Sequence, residues 1–151
     1  MRVFLLCLLV SISSYAQNLP LEAFGALPAA SQVTLSPDGQ MLAYKGNLNG
    51  QSYIASVDLS SGEKKYLVTT DNQKFKIGWH RWANNKTILV SAHFAMQGLQ
   101  VKYGESRLLK VPADGSEAPE PVVRSGIHDV SAQFQSNIVD MLPHDPDHIL
   151  M

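Results

Sequence analysis

Beyond residue 30, apolar and polar side chains alternate with a period of two, and short clusters of Gly, Pro, Asn and Asp interrupt the alternation. That pattern predicts short strands joined by tight turns. Val33 and Leu35 alternate with Thr34, Met41 to Tyr44 forms a second apolar run, and Ser36-Pro37-Asp38-Gly39 lies between them. Pro37 presets its φ for a turn corner, Asp38 can bond nearby backbone, and Gly39 supplies a positive φ, so the unit reads as an antiparallel hairpin. Asn49-Gly50 marks the next turn. Gln51 to Leu59 reads as a third strand, with Tyr53, Ala55 and Val57 alternating with Ser52, Ile54, Ser56 and Asp58. A turn over Asp58 to Glu63 leads to a fourth strand, Tyr66 to Thr69.

The pattern then repeats. Phe75, Ile77 and Trp79 alternate on one face up to Trp82, Ala83 to Lys86 forms a turn, and Thr87 to Ala92 is an apolar strand. Trp82 follows Ser36 by 46 residues, close to the period of propeller blades. Leu108 to Val111 ahead of Asp114-Gly115 matches Ile54 to Asp58 ahead of Gly62-Glu63. His93 to Ser106 reads as an inserted loop, and Pro121 to Val123 as a fourth strand. A third round starts with a strand over Ile138 to Leu142, a turn over Pro143 to Asp147 and a new strand from His148 to Met151.

The expected fold is therefore all-β: antiparallel four-stranded blades of an incomplete β-propeller, preceded by a signal peptide. The divisions are a signal peptide over 1–16, a leader over 17–32, blade one over 33–70, blade two over 71–124 and the start of blade three over 125–151. Blades bury their faces against neighbours, so two and a fraction should leave a vacant flank. The chain alone should be poorly stable, and self-association through open blade edges is expected.

Arg2, the apolar run from Val3 to Val10, and the small residues Ser14 and Ala16 predict export, with cleavage after Ala16. The run falls short of the ~20 residues that span a bilayer, so no stable membrane insertion is expected after cleavage. The single cysteine, Cys7, lies inside this segment. The mature chain would have no thiol, disulfide or thiolate metal site, and its location would be periplasmic or extracellular. In the leader, Pro20 followed by Leu21 to Phe24 suits one short helical turn packed on the first blade.

The 151 residues allow about one domain, and a 45% hydrophobic, 17% charged composition with a net charge of −1 fits a soluble globular protein. Lysines and arginines are scattered and nearly balanced by acids, so no nucleic-acid partner is expected.

Leu19-Pro20-Leu21-Glu22-Ala23-Phe24, then Leu27-Pro28, Ser31 and the Ser36-Pro37-Asp38-Gly39 hairpin, taken in order, resemble the start of the mature chain in secreted serine peptidases of the prolyl oligopeptidase family. The resemblance implies the N-terminal propeller portion of a dipeptidyl or acylaminoacyl peptidase-like enzyme, with a structural and substrate-gating role. Peptide substrates would be engaged through a hydrolase domain outside these residues. The chain departs from the pattern at Trp82-Ala83-Asn84-Asn85, which stands where a second Ser-Pro-Asp-Gly would fall. The same tetrapeptide occurs in Tol-type propellers, so a non-catalytic periplasmic binding module is the alternative.

The residues carry no Gly-x-Ser-x-Gly elbow, and in the resembling family all three triad residues lie in the hydrolase domain. The chain alone is expected to be inactive, with no catalytic, cofactor-binding or metal-binding residue, and no cofactor. His144-Asp145-Pro146-Asp147-His148 is dense in metal-ligand types, but Pro143 and Pro146 favour a turn over a helix that would align the histidines. In Trp79-His80-Arg81-Trp82 the tryptophans are expected between blades, with His80 and Arg81 at strand ends. Glu22 and Glu105 do not form the double-glutamate motif with which some family members hold a substrate's amino terminus. The segment from His93 to Ser106, with Phe94, Met96 and Tyr103, is the element expected nearest a substrate.

Overall fold

The computed structural model describes residues 21–124 and 132–151. The signal segment with Cys7, the first leader residues and His128 lie outside the described residues, as does the side chain of Glu22. After a one-turn helix, α1 (Leu21–Gly25), the order is β1 (Ala30–Leu35), β2 (Met41–Leu48), β3 (Gln51–Asp58), β4 (Lys64–Thr70), β5 (Phe75–Trp82), β6 (Thr87–Gln97), β7 (Lys102–Pro112), β8 (Glu120–Pro121) and β9 (Phe134–Gln135). β1 to β4 form one antiparallel sheet in sequential order, and β5 to β8 a second, with β9 joining β7 in parallel. The protein is all-β, built of propeller-like blades.

The turns follow the local chemistry. The Ser36 hydroxyl donates to Asp38 Oδ1 at 2.6 Å, the Gln40 N–H donates to the same oxygen, and Gly39 sits at φ 70°. Asp58 repeats the device, accepting from the backbone N–H groups of Ser60 and Ser61 and from the Ser60 hydroxyl at 2.6 Å.

The two sheets pack face to face around one core. Ala43, Ile54 and Val68 come from the first, and Ile77, Ile88, Val90, Val111 and Ala113 from the second and the turn after it. Polar contacts bridge the same interface. The Lys45 ammonium donates to the Ile77 carbonyl at 2.6 Å, the Ser56 hydroxyl to the Ala113 carbonyl at 2.5 Å, and Thr34 Oγ1 pairs with His80 Nε2 at 3.1 Å. Where buried backbone or side chains would lose water, these bonds replace it.

Four expectations are corrected. His93 to Ser106 is not an inserted loop: β6 and β7 stay paired from Thr87↔Pro112 out to Gln97↔Lys102, making a long arm with a tip at Gly98 to Val101. Phe94 and Met96 keep the period of two that a strand requires. Second, a register shift between Ile77 and His80 acts as a β-bulge. It breaks the Phe75-Ile77-Trp79 alternation and turns His80 and Trp82 onto the core side. His80 is therefore only 4% exposed and is not at a strand end. Third, Ile138 to Leu142 is not a strand. A single bridge, Asp140↔Leu150, forms there, because the turn over Pro143 to Asp147 brings together only that pair. Fourth, the helical turn of the leader is not what packs on the first blade. Among the described residues Phe24 and Leu27 are exposed, and the leader is fastened from Pro28 and Ala29, whose carbonyls accept from Asn47, and through Ala30 to Gln32, which open β1.

Candidate functional site

Ser91 Oγ lies 3.2 Å from His93 Nε2, the spacing of a nucleophile and its base. Ser91 is completely buried on β6, so no carbonyl can reach it. Among the described residues no carboxylate pairs with His93. This pair is a packing contact. His80 is also held inside, against Thr34, and burial lowers its pKa below the ordinary histidine value, with the nearby Lys45 charge adding to the effect. It is a neutral interior histidine, and its Nδ1 has no partner among the described residues.

In the tail segment, His148 Nδ1 approaches both oxygens of Asp145 at 2.9 Å. That contact raises the His148 pKa and lowers that of Asp145. Both side chains are exposed, and the segment forms two successive turns. No group of three or more His, Cys, Asp or Glu that could hold a metal occurs among the described residues. Glu105 pairs with Arg107 at 3.5 Å on the arm and stands alone as an acid there. Arg81 stacks over Trp79, 5.3 Å from the ring, on the side away from the core.

What the sheets assemble most distinctly is a surface. β2 pairs with β3 without a break and β3 with β4 across one bulge between Ile54 and Ala55, and the residues that do not face the second sheet line an outer face. Tyr44, Tyr53 and Tyr66 meet there edge to face, with centroids 6.1 and 4.9 Å apart along the row. Gly46 on β2 makes room: an added Cβ would collide with the Tyr53 ring. The Lys64 ammonium lies over all three rings, 4.6 Å from Tyr66 and 5.3 Å from the others. Hydroxyls of Tyr44 and Tyr66 beside it hold its pKa above the ordinary lysine value. Leu35 and Tyr66, 57% and 59% exposed, extend this face to open solvent. An aromatic, apolar sheet face of this kind is a packing surface; it has no nucleophile and no paired acid and base. The tyrosine row leaves no local signal in the sequence, because Tyr44, Tyr53 and Tyr66 sit on three strands that only cross-strand pairing brings together.

The fold and its surfaces define an all-β protein of consecutive propeller-like blades. No family model matches the sequence, and no curated protein matches it. Among solved structures the chain is similar to an acylaminoacyl peptidase in complex with Z-Gly-Gly-Phe-chloromethyl ketone, with a TM-score of 0.48 and 17% identity. That likeness covers 67% of this chain and 19% of the other, so the chain spans less than a fifth of the length of the protein it matches. A likeness at that level assigns neither family nor activity.

Proposed function

We propose that the chain is the N-terminal propeller portion of an exported serine peptidase of the prolyl oligopeptidase family, with a structural and substrate-gating role and no catalytic residue of its own. The observation that carries this reading is the pairing of a four-stranded and a five-stranded sheet through one apolar face each, while the first sheet keeps a second, aromatic face open. A self-sufficient two-sheet sandwich has no use for that second face. A ring of blades does, since each sheet there is covered on both sides. The ordered motifs from Leu19 to Gly39 support the family reading, and the segment from Arg2 to Ala16 supports export to the periplasm or outside the cell. The peptide partner would be met jointly with a hydrolase domain.

Reading the coding DNA past Met151 tests the proposal. An open frame that adds further blade repeats and then a Gly-x-Ser-x-Gly elbow supports it. Further Ser-Pro-Asp-Gly hairpins ending in a stop, with no elbow, would replace it with a Tol-like binding module. The chain alone, assayed with chromogenic dipeptide and acyl-amino-acid substrates, should give no turnover.

A further inference from the structure

The arm formed by β6 and β7 runs past the end of β5. The β5–β6 ladder stops at Phe75↔Phe94, whereas β6 continues to Gln97, paired on its other side with β7. Along Ala95 to Gln97 the backbone groups that point away from β7 therefore lack a ladder partner among the described residues. The incoming chain does not cover them. Asn72, at φ 63°, turns it aside, and its amide donates to the Gly50 carbonyl at 3.0 Å, which holds the loop toward the first sheet. Between loop and arm lies a cleft of about 390 Å³, within the size of small-ligand sites. Its floor is apolar, with the Phe75 and Phe94 rings 5.6 Å apart and Tyr103 across from them. Its rim carries Lys74, Lys76 and Lys102 and no acid. None of the three lysines has an ion-pair partner among the described residues.

We infer that this cleft binds the carboxyl end of a peptide. A short strand laid on the free edge of β6 would take up the line of β5, antiparallel to β6 as every other main neighbour in the sheet is. Running in the direction of β5, it points its C-terminus at the start of that strand, where Lys74 and Lys76 stand. The terminal carboxylate meets their ammonium groups, and an apolar last side chain rests on the Phe75–Phe94 pair. An internal stretch of peptide would present no charge there and would collide with Phe75 as it continued. The inference stands on the cleft alone and would survive the loss of the peptidase reading.

The test uses the full chain and a fluorescein-labelled Gly-Ala-Val-Phe probe, as free acid and as C-terminal amide, at low salt. The acid should bind about tenfold or more tightly than the amide, as expected for a charge-assisted contact. Replacing both Lys74→Gln and Lys76→Gln should reduce the acid to the amide's affinity with an unchanged circular dichroism spectrum. Hydrogen exchange at Ala95 to Gln97 should slow when the acid binds. Equal binding of acid and amide, no binding of either, or full affinity in the double variant would overturn the proposal. So would displacement by inorganic polyphosphate without any protection at Ala95 to Gln97, which would mark a general cation patch.

Discussion

Ile54→Ala tests most directly whether the two sheets share one core. Ile54 is fully buried on β3, opposite Val68 in its own sheet and within the cluster that includes Ile77, Ile88 and Val90 of the other. The substitution removes three carbons, worth about 2.5 kcal/mol in transfer free energy at ~0.8 kcal/mol per methylene. A site walled by two hydrogen-bonded sheets collapses poorly, so the residual cavity raises the cost to about 3–4 kcal/mol. For a chain of this length that corresponds to a fall in Tm of about 10–15 °C. The control is Leu35→Ala, on the outer face of the same sheet and 57% exposed, which should change stability by no more than about 0.5 kcal/mol. Urea unfolding followed by tryptophan fluorescence reads both, since Trp82 packs against this core. A loss below about 1 kcal/mol for Ile54→Ala, or equal losses for the two variants, would refute a shared core between the sheets.

Three further outcomes follow from the same contacts. Because burial depresses the His80 pKa, the folded state binds fewer protons there than the unfolded chain. Stability should be fully present above the ordinary value of 6.5 and decline as pH falls below it, and His80→Asn should flatten that slope in pH-dependent urea titrations. Asp58 is held down to about 2 by the Ser60 hydroxyl and the Ser61 and Ser60 amides, so its turn should stay intact until pH falls below the usual carboxylate range, then loosen toward pH 2. Carboxyl-carbon NMR titration of Asp58 checks this, and an ordinary midpoint near 3.8 would contradict it. Gly39→Ala, at φ 70° with open space around it, should cost about 1 kcal/mol through backbone strain alone, measured against Gly25→Ala as an unstrained comparison.

The hairpin at Ser36 to Gly39 was legible because proline, aspartate and glycine each impose a local geometry that needs no distant partner. The repeat was legible for the same reason, since turn chemistry recurs near Ala83 to Lys86 even after its residues change. The fate of His80 was hidden. Its burial depends on a bulge between Ile77 and His80, and a period of two cannot announce where one extra residue enters. The arm was hidden by its composition: glycine and polar residues at Gln97, Gly98, Lys102 and Gly104 resemble loop, while the cross-strand ladder that makes them strand is a long-range property. The lysine and phenylalanine residues of the cleft are spread over a loop and three strands, so no local motif joins them.

The turns along one rim are tied to one another. The Asp38 N–H donates to Asn85 Oδ1 at 3.1 Å, and the Asn84 amide donates to the Pro146 carbonyl at 2.9 Å, so the first hairpin turn is fastened to the second and the second to the tail turn over Pro143 to Asp147. The arm tip projects from the opposite rim, where Leu99 and Val101 stand in solvent. The arm's own rim is fastened as well, by the four-residue link from Asp71 to Lys74 between β4 and β5 and by the Thr70 hydroxyl on the Phe75 carbonyl. With both rims tied, the two sheets should rock as one body, and the arm should travel with its sheet like the blade of an oar in a closed rowlock.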